Sequence, residues 1–155
     1  MSCAVCEDGF IDRGEQKVRC RPCHKRQRVM QDYVDELAAT MGLADWVIKV
    51  SLEGCEDDNL AEISCSYAQR NAEMFLSERW ESFPAEEQRA TLTQELVHAL
   101  LAPYTQHIDV LVKALVDREE LSRTAAASLS HMEEIVVDQI AVAWAEKLPL
   151  PEVLV

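Results

Sequence analysis

The chain has few of the residues that mark non-globular proteins. Its 155 residues include only four glycines and five prolines, which excludes collagen-like and glycine-rich architectures. No apolar run approaches the ~18 residues that a membrane-spanning helix needs. The first twenty residues contain no apolar stretch of the kind found in secretory signal peptides. We therefore expect a cytoplasmic protein with no membrane partner.

Charge divides the chain into two parts. The whole chain carries a net charge of −13, which argues against nucleic-acid binding by the protein as a whole. Residues 1–30 nevertheless carry +3, so the remaining residues carry −16. The basic side chains of this first segment could contact nucleic acid, or they could lie in solvent or pair with the acidic body. Solvation or pairing is the simpler interpretation.

Four of the six cysteines form two Cys-x-x-Cys pairs, at Cys3 and Cys6 and at Cys20 and Cys23. Two such pairs supply four thiolates at the corners of a tetrahedron, which is the geometry of a structural zinc site. The spacing therefore predicts one bound Zn²⁺, with His24 as a less suitable substitute ligand. This segment resembles four-cysteine fingers of the zinc-ribbon and treble-clef types, including DksA-like fingers.

After the cysteine pairs, apolar periodicity predicts a helix and then three strands. Residues 26–41 read as a helix that ends at Gly42. Residues 45–52, 61–67 and 73–80 read as strands, the last two joined as a hairpin through a turn at 69–71. We expect a four-cysteine zinc finger over 1–28, a connecting helix over 29–42 and an α+β domain over 43–155. We also expect the last part to form a core of its own.

Helices dominate the second half of the expected domain. A helix opens at Pro84 and should end near Ala102, because Pro103 cannot continue it. Further helical stretches are expected over 107–117 and from Ala127 to near Pro149. Strands followed by helices predict an α+β fold in which a small antiparallel sheet precedes a helical half.

The helix that opens at Pro84 contains the sequence Gln94-Glu-Leu-Val-His98. Positions 94 and 98 lie one turn apart on one helical face. In His-Glu-x-x-His motifs this spacing places two imidazoles on Zn²⁺ beside a glutamate general base. Here the first histidine is Gln94, a poor zinc donor. Taken alone, Glu-x-x-His is also compatible with an ordinary amphipathic helix.

The segment from Ala90 to Pro103, with the strands before it, resembles minimal zincin metallopeptidases of the gluzincin or SprT-like kind found in phages and bacteria. The resemblance implies that Glu95 is the general base and His98 a zinc ligand. It also implies that Glu134 is the third ligand and that Asp138 hydrogen-bonds His98 from behind. His131 and, less favourably, His107 are candidate substitutes for the ligand missing at Gln94.

Two classes of function follow from these features. The first is a zinc-binding, metallopeptidase-like protein with a degenerate or altered centre, in which Glu95 is catalytic only if the protein is active. The second is a non-catalytic acidic module that binds a host protein or nucleic-acid-associated machinery, with nucleic acid contacted only through the basic finger. Cys65 is expected to be a buried small apolar residue, and Cys55 to lie in an acidic loop.

Overall fold

A computed structural model describes residues 10–13, 16–19, 21–52, 55, 59–115 and 119–151. These residues form an α+β structure, as expected from the sequence. Its strands are β1 (Phe10–Arg13), β2 (Gln16–Arg19), β3 (Val47–Ser51), β4 (Ala61–Ser66) and β5 (Asn71–Leu76). Its helices are α1 (Arg21–Thr40), α2 (Ala85–Leu115) and α3 (Glu119–Ala145). Strands β1 and β2 pair with each other as an antiparallel ribbon.

The three remaining strands form a mixed sheet in the order β3-β5-β4. The expected hairpin is confirmed, since β4 and β5 are antiparallel and a short 3₁₀ turn at Tyr67–Gln69 joins them. The residue after the turn, Arg70, adopts a left-handed conformation with φ of 49°. The expectation of an antiparallel sheet is wrong, because β3 pairs in parallel with β5. The chain leaves β3, crosses to the far edge as β4 and returns between them as β5.

Helix α1 belongs to the core and begins earlier than its apolar periodicity indicates. It starts at Arg21 rather than residue 26. One of its faces is buried against the sheet and α2; the buried residues are Met30, Tyr33, Val34, Leu37, Ala38 and, just after the helix, Met41. The same cluster contains Ile48, Val50, Met74, Leu76, Trp80 and Leu96. The segment predicted to be a connector therefore completes the core of the body.

Gly42 ends α1 as the sequence predicts. Its φ is +87°, a conformation that costs an L side chain free energy and glycine none. The backbone N–H of Leu43 bonds the carbonyl of Ala38 at 2.8 Å, and the N–H of Gly42 bonds that of Ala39 at 3.3 Å. This pair of bonds is the Schellman arrangement, which satisfies carbonyls left over at the helix end.

Helix α2 continues through Pro103, which corrects the expected break at Ala102. Proline lacks the N–H that would bond the carbonyl of Ala99, at a typical cost of ~3 kcal/mol. Helix α3 lies alongside α2 on both sides of the proline. Pro103 instead follows the last buried residue of α2, Ala102. It therefore separates the part of the helix that packs in the core from the part that lies outside it. Helix α3 likewise begins at Glu119, before the expected Ala127.

Side chains of α1 cap the outer edge of the sheet at β3. At the β3 edge, the Gln31 amide donates to the carbonyl of Ile48 at 2.6 Å and accepts from the N–H of Val50 at 2.9 Å. Gln27 donates to the carbonyl of Val50 at 2.8 Å. One glutamine side chain thus supplies the donor and the acceptor that a neighbouring strand would supply. Capping of this kind blocks edge-to-edge association of sheets.

We predict that Gln31→Leu lowers the free energy of unfolding by about 1–3 kcal/mol, because it leaves a partly buried N–H and carbonyl of β3 without partners. Urea unfolding of wild type and variant measures the change. The control is Gln139→Leu on the exposed face of α3, where about 0.5 kcal/mol or less is expected. Equal losses in the two variants would contradict the capping role.

Candidate functional site

The residues singled out on α2 and α3 meet in a cleft beside the edge strand β4. The cleft has a volume of about 510 Å³. Helix α2 forms its floor, β4 one wall and α3 the other. Its lining includes Glu62, Ile63 and Cys65 from β4, Gln94, Glu95, His98 and Gln106 from α2, and Glu133 and Glu134 from α3. An acidic cleft of this composition favours positively charged groups over negatively charged ones.

The two helices pair across the cleft in an antiparallel register. His98 Nε2 lies 3.7 Å from a carboxylate oxygen of Glu134. One turn away on each helix, the side-chain amide of Gln94 donates to Asp138 at 3.0 Å. The contact between the helices thus brings His98 to Glu134 and Gln94 to Asp138. In this register the partner of Asp138 is Gln94, whereas the resemblance implies a hydrogen bond from Asp138 to His98.

His98 lies between two carboxylates, of which the sequence motif indicates only Glu134. Its Nδ1 lies 3.4 Å from Glu133 Oε1, on the opposite side of the ring from Glu134. The imidazole is about one-fifth exposed, as is the Glu133 side chain, whereas the Glu134 side chain is about half exposed. Adjacent residues on a helix point about 100° apart, so periodicity alone could not show that both Glu133 and Glu134 reach the same histidine.

Glu95 is the most perturbed acid of the cleft. Burial raises its pKa to about 7, an effect strengthened by the nearby carboxylates of Glu134 and Glu62. His98 and a hydrogen bond from the Ile63 backbone act in the opposite direction and lower the pKa. A carboxyl with a pKa near neutrality can either accept or donate a proton, which is the property that general acid–base chemistry requires.

Cys65 also lines the cleft, although the sequence indicated only a small buried residue. Burial is the main cause that raises its pKa to about 11, followed by the charges of Glu95 and Glu133. The thiol is therefore protonated at neutral pH and is a poor nucleophile and metal ligand. Its backbone carbonyl accepts a hydrogen bond from the Gln106 side chain at 3.2 Å. Together, Gln106 and Glu95 occupy polar groups on the outer edge of β4.

The other candidate ligands lie elsewhere. His131 and His107 are exposed on α3 and α2 and are not part of the cleft lining. Cys3, Cys6 and Cys20 fall outside the described residues, as does the side chain of Cys23. Within the described part of the chain, no group of three or more His, Cys, Asp or Glu side chains is arranged to hold a metal ion.

Comparisons with known proteins give no assignment for this chain. No family model, curated protein or solved structure matches it. Among the helices that the structure describes, none is long and apolar enough to cross a membrane.

Proposed function

We propose that this chain is a zinc-binding, metallopeptidase-like protein whose Gln-Glu-x-x-His centre is degenerate. The observation that carries the proposal is the contact between α2 and α3, which sets His98 against Glu134 and Gln94 against Asp138. In metallopeptidases of this kind, two motif ligands, a third ligand and a supporting carboxylate lie close together, so this contact supports the proposal. The resemblance of the motif and the proximity of the side chains are independent of each other.

The spacing of His98 and Glu134 fits two zinc ligands, but Gln94, at the position of a third ligand, does not suit zinc. Two ligands that lie ~2.1 Å from zinc at a tetrahedral angle are ~3.4 Å apart, close to the 3.7 Å between His98 Nε2 and Glu134. Gln94 instead offers a neutral amide that is already bonded to Asp138. Catalytic zinc sites use three protein ligands and activate a bound water. The residues present therefore suit weak metal binding at most and lack the third ligand that metal-assisted hydrolysis needs.

Glu95 retains the ability to accept a proton near neutral pH, which metal-assisted peptide hydrolysis would need. Its position below β4 and its pKa of about 7 suit a general base at neutral pH. The hydrogen bond from Ile63 holds the carboxylate at the strand edge. Glu95 is the residue that would carry proton transfer if a complete metal site were restored. In the present chain it caps the edge of the sheet.

A second candidate function is binding of a basic protein segment without catalysis. Four glutamates line the cleft, namely Glu62, Glu95, Glu133 and Glu134, which favours a cationic partner. The acidic balance of the chain, −13 overall, acts in the same direction. Both candidates leave the chain without peptidase activity; zinc bound through His98 distinguishes the first from the second.

Metal analysis of the purified protein tests the zinc part of the proposal. We expect one tightly bound zinc ion, held by Cys3, Cys6, Cys20 and Cys23, and its loss in Cys20→Ser because three thiolates and a hydroxyl bind far more weakly. His98→Ala serves as the control and should keep the tight zinc. It should also abolish a second, weak binding event in zinc titrations. A protein that retains its zinc after Cys20→Ser would contradict the finger.

A further inference from the structure

The outer half of the α2–α3 hairpin buries none of its described side chains. Between Pro103 and Val136, every side chain that the structure describes is exposed or only partly buried. Helices in water owe most of their stability to packing of an apolar face, and a pair of helices that buries so little is marginal. In a single copy of the chain, the part of the hairpin outside the core therefore lacks the packing that would stabilise it.

The hairpin nevertheless carries the apolar face that packing needs. Tyr104, Ile108 and Val112 follow one another at four-residue spacing along α2, and Leu129, Met132 and Val136 at three and four along α3. The two stripes line one groove of about 770 Å³. Tyr104 is 69% exposed and Met132 60% exposed. This spacing is that of helices in bundles, where each stripe faces a neighbouring helix.

We infer that this groove is the dimer interface of the protein, and that two hairpins pack face to face as a four-helix bundle. From Leu101 to Leu115 the hairpin is roughly 20 Å long, and two helices are roughly 20 Å wide. A flat projection is then ~400 Å² per copy, and interdigitated side chains bring the total buried area to the order of 1,000 Å². That is near the lower limit for a specific interface, as expected for a dimer that dissociates on dilution.

The charges along the groove favour a second copy over a basic helix from another protein. The acids that line it are Asp109 and Glu133. Asp109 accepts a hydrogen bond from Lys113 at 2.6 Å, and Glu133 contacts His98 at 3.4 Å. Each carboxylate thus already has a cationic or imidazole partner within its own chain. An identical hairpin adds to the groove only acids that already have such partners, whereas a basic helix would find little to pair with.

Light scattering and sedimentation equilibrium of the full chain test the inference. We expect a dimer that dissociates on dilution, with helix content by circular dichroism falling as it does so. Raised salt should tighten the dimer, because both copies are acidic. Ile108→Glu and Met132→Glu place two charges in each symmetric interface and should weaken dimerisation on the order of 100-fold or more. Val142→Glu, at a position that is 72% exposed and outside the groove, is the control and should leave it unchanged.

Other outcomes would overturn the inference. A wild-type chain that remains monomeric at every concentration, with constant helix content, would show that the groove does not bind a second copy. A dimer unaffected by both Ile108→Glu and Met132→Glu would use another surface. A monomer that binds a basic amphipathic peptide along Tyr104 and Met132 would assign the groove to a partner of different chemistry.

Discussion

Replacing Gln94 with histidine is expected to create a second zinc site with an affinity on the order of 100-fold or more above that of the wild-type cleft. The reason is the register of the two helices. An imidazole at position 94 lies one turn from His98 and opposite Asp138, which now accepts a hydrogen bond from Gln94 at 3.0 Å. Asp138 could then hold one ring nitrogen while the other binds metal, the arrangement that orients histidine ligands in zinc enzymes.

Zinc titration against a chromophoric chelator measures the effect, with the finger zinc counted separately. Gln94→Ala is the matched control, since it also removes the bond to Asp138 but adds no ligand. The double variant Gln94→His with His98→Ala should lose the new site. If Gln94→His bound zinc no better than Gln94→Ala, the α2–α3 cleft would not be a metal-site scaffold, and the binding-module alternative would be favoured.

The order of strands and helices along the chain could be predicted from the sequence, whereas several of the contacts between them could not. The β4–β5 hairpin follows from two alternating segments around a turn, and the end of α1 follows from Gly42. Parallel pairing of β3 with β5 depends on contacts between distant segments. Pro103 was misleading because local propensity predicts a break there. The helix nevertheless continues to Leu115, so local propensity does not decide the end of α2.

The candidate site shows the same division between local and long-range information. Helical periodicity places Gln94 and His98 on one face, and the resemblance to metallopeptidases selects Glu134 and Asp138 as their partners. Neither periodicity nor resemblance can fix the register between two helices. That register determines that Asp138 faces Gln94 and that Glu133 also contacts His98. Cys65 and Gln106 enter the cleft because β4 lies at the sheet edge, and strand order is not encoded locally.

The α1 helix provides the largest expected effect on stability. A fragment of residues 43–155, which the sequence suggested would fold by itself, is expected to lose cooperative unfolding. Five large apolar side chains of this segment are buried in the shared core, namely Met30, Tyr33, Val34, Leu37 and Met41. Burial of such side chains contributes about 1.5–3 kcal/mol each. Their sum is about as large as the 5–15 kcal/mol that stabilises a whole domain.

A fragment of residues 25–155 is the matched control, because it keeps these buried side chains and omits all four finger cysteines. It also keeps the ion pair between Arg26 and Glu81 and the Gln27 and Gln31 caps on β3. We expect it to melt cooperatively, whereas 43–155 should bind a hydrophobic dye and melt without a defined transition. Cooperative melting of both fragments at similar temperatures would mean that α1 only covers a core that the later residues complete themselves. Failure of both would instead show that the segment before residue 25 is needed to hold α1 against the sheet.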